Sequence, residues 1–413
     1  MPACPGKWRR LVALSNPDLR TPVTQPITVV IPTRERADTL HYCLQTVVAQ
    51  ECDRLQILVS DNASSPATRE VVESFGDPRI RYTNTGARLS MAHNYEFALS
   101  HVTSGWIVML GDDDGLVVGR LEPTVALLEK SGLQALSSET CFYNWPKVVS
   151  AREPALTVPL ADDLVTVRSL DAVADILKLV RPKARLPQTY TGGIVHADVI
   201  KAARAKDGTF FQSQIPDIYS SFAITATVKR YLYTKAPFAI AGRSSHSIGA
   251  ALFRLEKNAF LEEGLIPFHP DFPLDDLATL SFSMPAIQFE CHTQAAFLHL
   301  HKTGVSKQRM LEVILANTKT GRDEIMAWGR RFAALHRLDY DAVVRRVPAV
   351  RRQGRLLDGW RSAKNLVECA RLYEGDPWPL ANVREASETA AALLAGPPNR
   401  IRSKIRTLAK HFS

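Results

Sequence analysis

A chain of 413 residues, 46% hydrophobic and 23% charged, has the apolar content for one large core or two, which excludes an intrinsically disordered protein. No run approaches the roughly 18 apolar residues of a membrane span, and the N-terminus lacks the uninterrupted apolar segment of a signal peptide. The net charge of +9 is uneven: residues 345–413 hold 14 Lys and Arg against 6 Asp and Glu, and residues 1–344 hold 37 against 36.

A near-neutral body without a basic, aromatic-laced groove gives no reason to expect a nucleic-acid partner, whereas the basic tail suggests attraction to an anionic surface. Six scattered cysteines without a CxxC pair argue against a disulfide framework or structural zinc and for a reducing cytoplasm.

In chain order, residues 1–24 read as a Pro-punctuated lead-in. Residues 27–32 are a β-branched run of the kind buried on both faces of a parallel sheet. Helical spacing of Leu40, Leu44, Val47 and Val48 predicts a helix over 38–50, with Asp38 as its cap. The alternation continues with strand 55–60, helix 66–75, strand 79–83, helix 90–102 and strand 106–110. This pattern predicts an α/β sheet with parallel strands. A helix near 120–131 and a strand near 134–141 extend it.

Residues 142–190 are interrupted by proline and hard to place. Regular structure resumes from Phe210 to about Ala241. Beyond about 252 the periodicity is mainly helical, over 288–300, 307–316 and 322–337, and residues 345–355 read as a basic connector. The expected division is a domain over 25–250, a helical region over 251–344 and a basic helical tail over 345–413.

Ligands of open α/β sheets bind beyond the carboxyl ends of the strands, and the polar clusters of the N-terminal half fall there. Strand one ends in Pro32, Thr33, Arg34, Glu35 and Arg36; strand two in Ser60, Asp61 and Asn62; strand three in Asn84, Thr85 and Gly86. Strand four runs into Gly111-Asp112-Asp113-Asp114-Gly115. Adjacent carboxylates repel, and burying them is costly without positive charge. A hard cation such as Mn²⁺ or Mg²⁺, bridging carboxylate and diphosphate, would compensate them. The competing interpretation is a solvated acidic turn; Asp61 alone reads sooner as a helix cap, and as one of four polar tips it reads as a ligand contact.

These motifs, in this order over roughly residues 25–240, resemble the family 2 glycosyltransferases with the GT-A fold. The resemblance implies a Rossmann-like mixed sheet that binds a nucleotide sugar, flanked by helices and followed here by a mainly helical C-terminal region. It assigns nucleotide-sugar contacts to Pro32, Thr33, Arg34, Glu35, Asp61 (the base), Asn84, Gly86, Asn94, Asp112 (the ribose side) and Asp113. The metal falls to Asp114, with Asp113 in reserve. Gly111 stands where the family often has Asp, and His93 replaces the usual Arg before Asn94.

Sugar transfer requires neutralisation of the departing nucleotide diphosphate and a base for the attacking hydroxyl; a single displacement with one carboxylate base inverts the anomeric centre. Asp217 matches in placement the acidic residue that opens the family's acceptor-side helix, although Asp after Pro is also an ordinary helix start. Glu139 and Asp207 are its substitutes. His246, in a Gly- and Ser-rich loop, is a second metal candidate beside Arg243. Phe142, Tyr143 and Trp145 offer a platform for a sugar acceptor, or simply core.

The expected protein is therefore an inverting, metal-dependent transferase using a UDP-sugar on a glycan or lipid-linked acceptor. The alternative is a non-catalytic nucleotide-sugar-binding or assembly protein on the same scaffold. Residues 401–413 pattern as an amphipathic basic helix, suited either to an anionic membrane surface or to packing on the body.

Overall fold

The computed structural model describes residues 25–148, 153–178, 186–245, 266–274, 283–298, 303–318 and 321–396, with 357–367 followed by backbone alone. The expected loop around His246 and the helix expected over 401–413 lie outside the described residues.

Two sheets organise the chain. The larger has eight strands in the order β3 (Ile80–Asn84), β2 (Leu55–Asp61), β1 (Ile27–Thr33), β4 (Trp106–Met109), β10 (Gly193–His196), β6 (Ala135–Ser138), β11 (Arg230–Thr234) and β9 (Leu164–Arg168). The first four are parallel neighbours; β10 runs antiparallel between β4 and β6, and β9 antiparallel to β11. The expected α/β fold with a mixed sheet and a helical C-terminal region is borne out.

The run from Ile27 to Ile31 is apolar throughout, Thr28 excepted, because both of its faces are covered. Ile27, Val29 and Ile31 join Ile57, Val59 and Val108 in one core cluster, while Val30 joins Leu58, Ile107 and Met109 in another. Helices α1 (Ala37–Val48) and α4 (Leu121–Ser131) cover the first face through Leu40, Leu44, Val47, Val125 and Leu128. Helices α3 (Met91–Ser100), α5 (Ser169–Leu177), α6 (Ala197–Ala202) and α7 (Pro216–Thr227) cover the second. Helix α2 (Pro66–Glu73) adds only Val72 to the core. Asp38 is not the cap of α1; it lies in the first turn, and Arg36 takes the cap position.

The single strand expected over 134–141 is two. The chain leaves the large sheet after Ser138 and enters the smaller one as β7 (Cys141–Asn144). That sheet has the order β13 (Cys369–Leu372), β8 (Leu156–Pro159), β7, β12 (Ala239–Arg243) and β5 (Gly115–Leu116). Helices α8 (Met284–Gln294), α9 (Lys307–Ala316) and α10 (Arg322–Leu335) extend the second core around Phe289, Ile314 and Trp328.

The basic stretch 345–355 is a correction. It is not a connector but the interior of the long helix α11 (Tyr340–Glu368), started by Asp339, whose side chain accepts from Ala342 N. Arg346 pairs with the buried Glu312 at 3.5 Å, and Arg351 Nε donates to Ala316 O at the end of α9. Beyond it β13 pairs antiparallel with β8, and α12 (Val383–Leu394) packs Val383, Ala386 and Ala390 against Val117, Tyr143 and Ile240. The boundary expected at 345 thus falls inside a helix, and the chain after it returns to the N-terminal half. Among the described residues no helix is long and apolar enough to cross a membrane.

Candidate active site

The large sheet brings the first polar tips together. Thr33 pairs with Asp61 across β1 and β2, and Asp61 with Asn84 across β2 and β3. Pro32 is accommodated within a central strand because pairing with β4 stops at Val30 opposite Met109, so its missing N–H faces the turn beyond β4. Two non-glycine residues of the tip loops, Glu35 and Ala63, have φ of +52° and +54°, a cost of order 1–3 kcal/mol each that the surroundings must hold in place. Glu35 does so by accepting from Ser65 N and Oγ, both at 2.8 Å, which ties the first tip to the second and lowers its carboxyl.

Asp61 is buried and accepts from Tyr82 Oη at 2.6 Å, Asn84 Nδ2 at 3.0 Å and Ser64 N at 3.0 Å. One acid is fully answered by three local donors. Asn84 and Gly86 are exposed, Gly86 with φ +73° in the turn where its amide donates to Asn84 Oδ1. Asn94 is turned inward and accepts from Ser60 Oγ at 3.1 Å, bracing α3 against β2. His93 faces outward, with its ring against Ser90 Oγ, the cap of α3. Arg34 sits half-buried near Glu35, and it is Arg36 that reaches the triplet.

The three aspartates are buried, at 2%, 4% and 2% exposure; the solvated turn is excluded. Asp112 accepts from Thr33 Oγ1 at 2.8 Å and pairs with Arg36 at 3.0 Å. Asp113 accepts from Ser244 Oγ at 2.7 Å, and its carbonyl accepts from Trp145 Nε1 at 3.0 Å. Asp114 accepts from Gly111 N at 2.9 Å, from Gly242 N at 2.7 Å and from Thr191 Oγ1, so that both oxygens are engaged and the turn is fastened to β12 and the β10 loop. A Cβ at Gly242 would lie 1.8 Å from Asp113 O, which explains glycine there.

Burial and mutual repulsion strain the cluster. Burial pushes the Asp112 carboxyl up against the pull of Arg36, and burial together with Asp113 pushes Asp114 up to about 7. Beneath the turn, Cys43 of α1 donates to Gly111 O, and burial beside the three acids raises its thiol well above the ordinary range.

Asp217 is the second residue of α7, partly buried, with Pro216 at the first helical position. Burial pushes its carboxyl up, opposed by the helix-start amides of Ile218 and Asp217. It belongs to the same locality as the triplet: the buried Tyr95 hydroxyl is raised by burial and then by the charges of Asp217, Asp114 and Asp112. Tyr190 stacks on Tyr95 with ring centroids 6.3 Å apart. Its hydroxyl lies 2.3 Å from where a Gly111 Cβ would be, so a tyrosine oxygen fills the space of the aspartate expected at 111.

The substitutes for Asp217 fall elsewhere. Asp207 is an exposed turn residue accepting from Thr209 N and Oγ1, and Glu139 accepts from Tyr233 Oη at a sheet end. Of the aromatic trio, Tyr143 is core, its hydroxyl donating to Leu380 O; Phe142 is exposed beneath Arg243, and Trp145 touches the triplet. Sequence reasoning missed Tyr95, Tyr190, Thr191, Gly242 and Ser244. Tyr190 ends, and Thr191 follows, the stretch 142–190 that gave no periodic signal.

Among the described residues no group of three or more His, Cys, Asp or Glu side chains is arranged to hold a metal unaided. A divalent cation that shares a diphosphate needs only one or two carboxylates and keeps water on its other positions. Three contiguous buried acids, with Asp112 displaced upward against the charge of Arg36 and Asp114 displaced upward by burial and Asp113, fit such a cation.

Residues 28–154 match the model of Glycosyl transferase family 2. A Campylobacter jejuni "GalNAc(5)-diNAcBac-PP-undecaprenol beta-1,3-glucosyltransferase" is 31% identical over 98 residues, 23% of this chain and 32% of its own length. The Escherichia coli "UDP-Glc:alpha-D-GlcNAc-diphosphoundecaprenol beta-1,3-glucosyltransferase WfgD" is 24% identical over 107 residues, 26% of this chain and 42% of its own. The chain thus spans about a third to two-fifths of the length of these curated relatives. The solved structure of S. aureus TarS 1–349 with UDP-GlcNAc covers 80% of this chain and 92% of its own at 13% identity and a TM-score of 0.45. Residues 28–154, with their four polar strand tips, are thus similar to glycosyl transferase family 2.

Proposed function

We propose that the protein is an inverting, metal-dependent glycosyltransferase that moves a sugar from a nucleotide-diphosphate donor, a UDP-sugar, to a lipid-linked glycan. The observation that carries this is the buried triplet Asp112–Asp114 at the tip of β4, with Asp217 near enough for both to act on the Tyr95 hydroxyl. The two curated relatives, both glucosyltransferases acting on saccharides linked to undecaprenyl diphosphate, support the acceptor class.

The roles follow from the bonds. Asp61 and the tip of β1 flank the nucleotide, and Arg36 holds Asp112 on the ribose side. Asp114, with three protein donors on its two oxygens, fastens the turn, which moves the metal-facing role to Asp113. A divalent cation held there, as Mn²⁺ or Mg²⁺, would neutralise the charge that develops on the leaving diphosphate. Asp217 accepts the proton of the attacking hydroxyl, and its upward displacement brings its basicity nearer to neutral pH, as a general base requires. The stacked pair Tyr95 and Tyr190 walls the space beside the triplet, which excludes water and strengthens every charge interaction inside.

The test is transfer from UDP-glucose and UDP-N-acetylglucosamine to an undecaprenyl diphosphate-linked sugar, with Mn²⁺ or with chelator. Binding of UDP without turnover on either donor would favour the non-catalytic alternative.

A further inference from the structure

A cavity of about 250 Å³ lies outside the donor site, between the end of β7 and the segment that joins β13 to α12. Trp145, Trp378 and Tyr373 are its aromatic lining residues, and Asn144, Lys147, Glu153 and Glu374 are its polar ones. Apolar and aromatic walls with a few placed polar groups are the make-up of a ligand site. Flat aromatic faces beside carboxylates and an amide suit a pyranose, whose C–H face is apolar and whose rim of hydroxyls both donates and accepts.

A second feature lies beside the same space. Asn144 is 5% exposed, donates from Nδ2 to Pro154 O at 2.7 Å, and has a buried Oδ1 with no hydrogen-bond partner. Its register partner on β12, Arg243, has a buried Nε that also lacks one, while its NH2 donates to the cavity residue Glu153 at 3.2 Å. Orphaned buried polar groups are uncommon in folded proteins. A sugar hydroxyl, donor and acceptor together, answers such groups.

The cavity is also joined to the triplet. Trp145 lines it and donates through Nε1 to Asp113 O, so one indole separates the cavity from the backbone of the acidic turn. We propose that this cavity is a saccharide subsite that holds one sugar unit of the acceptor glycan, built jointly by the N-terminal domain and by residues 373–381 of the returning C-terminal segment. Its role rests on the transferase reading above; its ligand class does not.

The test separates the two. Trisaccharides of glucose, galactose, N-acetylglucosamine and N-acetylgalactosamine are titrated into the full chain without donor, followed by tryptophan fluorescence and saturation-transfer NMR. At least one is expected to bind, with affinity about tenfold weaker in Trp378→Ala and in Tyr373→Ala, the loss of one stacking face. UDP affinity is expected to stay unchanged in both variants. With an active acceptor, the same variants raise acceptor KM and leave kcat and donor KM alone. No binding by any of the four, or binding in both variants as tight as in the unmodified protein, overturns the subsite. Saccharide binding without turnover overturns the transferase reading and leaves the subsite standing.

Discussion

Asp61 and the Asp112–Asp114 turn stand at the tips of strands on either side of β1, both acidic and both buried, yet the fold treats them differently. Asp61 is one carboxylate with three donors within 3.0 Å. The triplet puts three carboxylates in one turn, and Asp114 is displaced from the ordinary 3.8 to about 7 although three donors reach it. A lone buried acid can be answered from within the protein. Three adjacent ones repel one another even where hydrogen bonds reach them, and a cation with a diphosphate would offset that repulsion.

Substitutions should separate the two tips. Asp217→Asn keeps shape and removes the base, with transfer expected to fall about 10²–10⁴-fold at little change in UDP affinity; retained kcat would reassign the base. Asp113→Ala should lower transfer about 10²–10³-fold and abolish its response to Mn²⁺, whereas Asp61→Ala should keep the Mn²⁺ response and weaken UDP binding. An Mn²⁺ response lost equally in both would erase the contrast. Asp61→Ala should also cost about 1–3 kcal/mol of stability, read by urea unfolding, because Tyr82, Asn84 and the Ser64 amide lose their acceptor.

The smallest effect is a pH dependence. A carboxyl raised on folding contributes stability that is full below its ordinary value of 3.8 and is lost as pH rises through about 7. In chelator, the Tm contribution of Asp114 should therefore fall between pH 5.5 and 7.5; Asp114→Asn should flatten that trend, and Mn²⁺ should reduce it. A Tm difference between the two proteins that is constant across this window would contradict the displacement.

What could be read from the sequence was what the chain encodes locally. The strands β1 to β4 announce themselves because burial on both faces demands near-continuous apolar runs, and the polar tips follow from where those runs stop. The fasteners of the acidic turn were illegible because they arrive from far along the chain. Thr191 and Gly242 meet Asp114 only through the placement of β10 and β12. Arg36, named among the tip residues but given no role, became the partner of Asp112 once α1 set its direction. The return of β13 left no local signature either, since a short strand is defined by its partner β8 and not by its own four residues.

The central claim is that the triplet works with a divalent cation on a nucleotide-sugar diphosphate. Titration of UDP into the full chain, with Mn²⁺ and with chelator, for the unmodified protein and Asp113→Ala, tests it most directly. The account predicts tight binding only for the unmodified protein with Mn²⁺. Affinity indifferent to both chelator and the substitution would contradict it.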